Sequence, residues 1–112
     1  MATAAQLYDE ADQLKAAGKL DEAVGKLNEA LQSDATYTLA HSALAIVLQK
    51  QGKHEEAVAH GQKVCELAPD DPFSFTALSV TLQRAYAGTN DTKYIPLAEE
   101  AMEKSRILQS QH

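Results

Sequence analysis

Thirty-four residues, Thr38 to Asp71, constrain the chain more than any other stretch: TLAHSALAIVLQKQGKHEEAVAHGQKVCELAPDD. Leu44, Ala45 and Leu48 mark one helical face, Gly52 breaks the pattern, and Ala57, Val58, Cys65 and Leu67 mark a second face that Pro69 stops. That pattern is a helix, a tight turn and an antiparallel helix. The same template fits in register from Ala4 to Tyr37, with Leu7, Ala11 and Leu14, then Gly18, then Ala23, Leu27 and Ala30. Small residues at Ala11 and Ala23 let two helices cross closely, and Leu7, Leu14 and Leu27 fill the flanking space. A third copy begins with Phe75, Leu78, Ser79 and Leu82. One such hairpin cannot bury its apolar face alone, and about three stacked copies are needed for a continuous core. A chain of 112 residues holds three.

Local signals set the expected boundaries. The first helix is expected at about Ala4 to Ala17 and the second at Asp21 to Gln32; Thr36 caps a third that runs to about Gln51, and the fourth covers His54 to Leu67. Asp71 before Pro72 starts a fifth, because Asp accepts from free amides and Pro gives up a donor that has no partner there. The fifth helix is expected to continue through Tyr86. If Ala98 takes the slot of Ala23 and Ala57, seven residues, Ala87 to Lys93, are inserted between the last two helices, and Pro96 falls in the tolerated first turn. The insertion reads as a surface loop or as a functional loop with Tyr86 and Tyr94 as contacts. In that register Glu99 and Arg106 replace Val24 and Leu31, or Val58 and Cys65, so the last helix is expected to present a polar outer face and end the array.

His41, Leu44, Ala45, Leu48, Ala57, Gly61 and Pro69 occupy the slots of the pattern W-x2-L-G-x2-Y, A-x3-F, P with its 34-residue period, so the segment resembles a tetratricopeptide repeat. The resemblance implies an all-α fold, an α-solenoid of three antiparallel helix-turn-helix repeats in a right-handed superhelix. It also implies a single domain over 1–112, with repeats at about 4–37, 38–71 and 72–112. The family's first helices line a concave groove through their second, fifth, ninth and twelfth positions. Here those are Ala5, Tyr8, Asp12 and Lys15, then Leu39, Ser42, Ile46 and Gln49, then Phe73, Thr76, Val80 and Gln83, with Arg84 able to reach the rim. Leu39, Ile46, Phe73 and Val80 form an apolar row suited to a peptide segment or amphipathic helix of a partner protein. The alternative is that the same row drives homo-oligomerisation in a scaffold unit. A family subset clamps the C-terminal carboxylate of chaperone tails with Lys, Asn, Asn, Lys and Arg. The matching positions carry Tyr8, Asp12, Ala43, Phe73 and Ala77, so that clamp is not expected.

Other chemistry finds little support. The net charge is −6 and no Lys or Arg cluster exceeds a pair, which argues against nucleic acid. No apolar run approaches the roughly 20 residues of a membrane span, and the amino terminus lacks a signal-peptide pattern. A cytoplasmic location is expected, in keeping with the lone Cys65. His54 and His60 stand on different helical faces, and no HExxH, CxxC, EF-hand loop, GxSxG elbow or phosphate loop occurs. The expectation is no enzyme, no metal and no cofactor, with His41 and His54 packed at helix crossings, Cys65 buried, and Gly61 admitting Phe73 or Phe75.

Overall fold

A computed structural model describes residues 1–111, all of whose regular structure is helical: α1 (Ala4–Ala16), α2 (Leu20–Ser33), α3 (Thr38–Lys50), α4 (His54–Leu67), α5 (Pro72–Thr89) and α6 (Tyr94–Ser110). The helices pair as three antiparallel hairpins, α1 with α2, α3 with α4 and α5 with α6. Successive hairpins stack through α2 on α3 and α4 on α5, while α1, α3 and α5 stand side by side along one wall. Gly18 (φ 80°) and Gly52 (φ 79°) adopt the left-handed conformation that closes the first two hairpins. Lys19 N donates to Leu14 O at 2.9 Å, and the bond recurs from Lys53 N to Leu48 O at 2.9 Å.

Alanine slots bring paired helices together. Ala11, Ala23, Ala57 and Ala98 are all buried, and Leu27, Leu44 and Leu82, each at most 1% exposed, fill the space beside them. In the third hairpin polar groups do part of this work. Ser79 Oγ donates to Ala98 O at 2.9 Å, and the Thr76 and Ser105 hydroxyls lie 2.6 Å apart. Gly61 admits Leu78, and neither Phe73 nor Phe75: a Cβ there would lie 3.1 Å from Leu78 Cδ1.

Asp71 caps α5 as its position suggests, accepting from Phe73 N at 2.9 Å. The cap of α3 differs from expectation. Asp34 Oδ1 takes both the Thr36 amide (3.0 Å) and the Thr36 hydroxyl (2.8 Å), so Tyr37 stands at the cap without a side-chain bond. Helix α5 also runs beyond Tyr86. Residues 87–89 of the insertion continue it, Asn90 in the left-handed region (φ 61°) ends it, and only 90–93 form a connection. The extension places Gly88 against the His54 ring. Glu99 and Arg106 are exposed, but so are Ile95 and Met102, and the outer face of the last hairpin is therefore mixed. No helix among the described residues is long and apolar enough to cross a membrane.

Candidate functional site

Helices α3 and α5 begin one repeat apart, run in the same direction and pack side by side, so different sides of the two helices meet at their seam. Between them lies a cleft of about 490 Å³. Ser42, Ile46 and Gln49 of α3 form one side and Ala77, Val80 and Arg84 of α5 the other; Gly61 and Val64 of α4 lie beneath with Leu78. Ile46 is 45% exposed and Val80 38%. One hydrogen bond spans the cleft, from Arg84 Nη1 to Gln49 Oε1 at 3.0 Å, and Lys50 stands beside it.

The remaining groove positions read from the sequence lie elsewhere. Tyr8 packs edge-on against Tyr37, ring centroids 6.1 Å apart, and Asp12 pairs with Lys15 at 3.8 Å on the exposed side of α1. Leu39 (52% exposed) and Phe73 (73%) stand outside the cleft near the starts of α3 and α5. Thr76 turns toward α6, bonding Ser105 and the Pro72 carbonyl. Gln83 donates to Ser79 Oγ at 3.1 Å over a separate recess between α5 and α6. Ser42, Ile46, Gln49, Val80 and Arg84 are thus brought together, and Tyr8, Asp12, Lys15, Leu39, Phe73, Thr76 and Gln83 are not.

Two features were missed by reading residues along single helices. His41, from α3, and His60, from α4, meet with their Nδ1 atoms 3.0 Å apart, and His41 Nε2 lies 3.0 Å from Ala35 O. A carbonyl only accepts, so Nε2 of neutral His41 carries hydrogen and its Nδ1 accepts from His60. Burial, and next the His41 ring, lower the His60 pKa. The signal for the pair was their slots: each lies on the face of its helix that meets the other helix of the hairpin. The place of Gly61 under the cleft was the second. The sequence singles it out as admitting an aromatic ring, and the signal for a hollow was that the equivalent slot of the first hairpin holds the buried Leu27. Cys65 is buried, its Sγ 3.3 Å from Ser74 O, and burial pushes its thiol up to about 11, so it is a packed hydrophobe and not a nucleophile. Among the described residues no three His, Cys, Asp or Glu side chains converge.

Comparison with known proteins finds two family models and several solved structures that this chain resembles. A family model described as TPR repeat matches residues 11–52, and one described as tetratricopeptide repeat matches residues 38–71. The crystal structure of MamA superposes with a TM-score of 0.82 at 17% identity, over 97% of this chain and 60% of that one. A second MamA crystal structure gives 0.71 at 19% identity, over 93% and 57%. The second TPR of Spaghetti (RPAP3), bound to the HSP90 peptide SRMEEVD, gives 0.75 at 19% identity, over 94% and 91%. The chain therefore spans about 60% of the MamA chain. No curated protein sequence matches.

Proposed function

The chain belongs to the tetratricopeptide repeat family, and from that premise we propose that it is a non-catalytic adaptor whose α3–α5 cleft holds a peptide segment of a partner protein. The observation that carries this reading is a half-exposed aliphatic centre, Ile46 and Val80, set over Gly61 and edged by polar groups. Burying one aliphatic side chain there contributes roughly 1.5–3 kcal/mol, and a few such anchors, less the cost of ordering the peptide, give about micromolar affinity. That range suits reversible assembly. The likeness to a TPR domain that holds an HSP90 peptide adds support. The buried, reduced thiol of Cys65 suits the cytoplasm.

A photo-crosslinking residue at Val80 tests the cleft against one at Glu22 on the outer side of α2. Crosslinks from Val80 alone, mapping to one short segment of a single partner, are expected. Equal crosslinking from Glu22, or none from Val80, overturns the reading. Leu39 and Phe73 favour a second use of the molecule, self-association, because both are large, apolar and exposed outside the cleft. A concentration-dependent mass in sedimentation equilibrium that Phe73→Ser abolishes would establish it.

A further inference from the structure

The composition of the cleft defines the chemistry of its occupant, given that the cleft is the peptide site. The chain carries 16 acidic residues against 10 Lys and Arg, yet the cleft lining contains Lys50 and Arg84 and no carboxylate. Neither cation takes part in any ion pair among the described residues. Arg84 is held instead by the neutral Gln49 amide, which orients the guanidinium without neutralising it and leaves its other donors free. A fixed guanidinium beside an ammonium is a receptor for a carboxylate.

Spacing sharpens this. Lys50 follows Ile46 by about one helical turn and Arg84 follows Val80 by the same interval, a rise of about 6 Å along each wall. An extended peptide presents side chains to one face every second residue, about 6.7 Å apart. A segment whose aliphatic side chain rests between Ile46 and Val80 therefore brings the side chain two positions away to the two cations. Helix α3 stops at Lys50 while α5 runs on to Thr89, so a peptide leaving the cleft can follow α5 past Arg84. That route calls for the side-chain carboxylate of an internal residue and not a chain end. We propose that the cleft takes an extended segment of a partner protein in which Asp or Glu stands two residues from an aliphatic side chain, the carboxylate between Lys50 and Arg84 and the aliphatic group over Gly61.

Phage-displayed random dodecamers, joined to the coat protein through their C-termini, test this on the whole chain. The selected peptides should be enriched in an aliphatic and an acidic residue two positions apart. As amidated synthetic peptides they should bind the Lys50→Glu, Arg84→Glu double variant at least tenfold more weakly by fluorescence anisotropy. Both residues are exposed, so the variant folds, and selection on it should turn to basic residues at the same spacing. Peptides that Ile46→Ser, Val80→Ser weakens but the charge reversal leaves within twofold would overturn the carboxylate assignment and leave the groove standing. Peptides indifferent to both sets of changes, or no enriched peptides, overturn the two readings together.

Discussion

The seam between α1 and α3 and the seam between α3 and α5 are built from equivalent slots, yet only the second holds the cleft. At the first, Leu27 is 1% exposed where the second has Gly61. Tyr8 stands in the slot of Ser42 and packs on Tyr37, while Asp12 and Lys15, in the slots of Ile46 and Gln49, pair with each other. One seam is filled and closed by an ion pair; the other is hollow, aliphatic and cationic. A repeat can keep its hairpin and change its role through three or four side chains, because the backbone is held by the alanine crossings and the glycine turns.

The comparison breaks first at the filling residue. Leu27→Ala should cost about 3 kcal/mol, within the range of buried Leu truncations, because the core around Ala23 and Leu44 cannot collapse into the void. Gly61→Ala should stay within about 1 kcal/mol of the parent, its helix-propensity gain offset by the 3.1 Å approach to Leu78. Urea unfolding of both variants checks this. Equal losses would mean that the two seams are packed alike. Next in size, Ile46→Asp copies the Asp12 slot of the first seam into the second. Peptides selected on the cleft should bind it at least tenfold more weakly, about 1.4 kcal/mol, with the melting temperature little changed because Ile46 is half exposed.

Much of this architecture was legible because its causes are local or periodic. The two glycine turns and the small crossing residues repeat along the chain, and these and the single Asp71–Pro72 start each act through their own neighbours. What the residues did not reveal depends on contacts across the fold. Thr36 reads as a cap until Asp34 is seen to hold it. The insertion reads as a loop, but its first residues pack as helix against the neighbouring hairpin through Gly88 and His54. The groove positions formed one row over all three units, whereas the cleft uses the side of α5 that turns toward α3, which brings in Ala77 and leaves Thr76 on α6.

The first two hairpins also differ in acid. Leu7 and Lys26 of the first occupy the slots of His41 and His60. His60 has a lowered pKa in the folded chain, chiefly from burial and then from His41, with Glu56 on the same helix opposing both. Above the ordinary histidine value of about 6.5 both folded and unfolded states are neutral there and the contribution to stability is complete. As pH falls below that value the unfolded chain takes the proton first, so stability is lost down through the lower folded pKa. Hydrogen exchange between pH 7 and 5 should show α3 and α4 loosening before α1 and α2, and His60→Gln should remove the difference. Uniform loosening would place the acid sensitivity elsewhere.

The smallest contrast compares two helical glycines. Nothing lies within 4 Å of a Cβ added at Gly25, so Gly25→Ala should stabilise the first hairpin by about 1 kcal/mol through helix propensity alone. The same propensity acts at Gly88 in α5, but a Cβ there would collide with the His54 ring, whose buried Nδ1 has no partner to anchor a new position. Gly88→Ala should therefore give no gain or a loss of about 1 kcal/mol, overpacking cancelling propensity. Pairing it with His54→Ala separates the two terms: if His54 is the obstacle, adding Gly88→Ala to that background should recover the stabilisation seen at Gly25. Thermal melts of the four single and double variants decide it, and a stabilising Gly88→Ala in the parent chain would mean that the extended end of α5 is not held against the second hairpin.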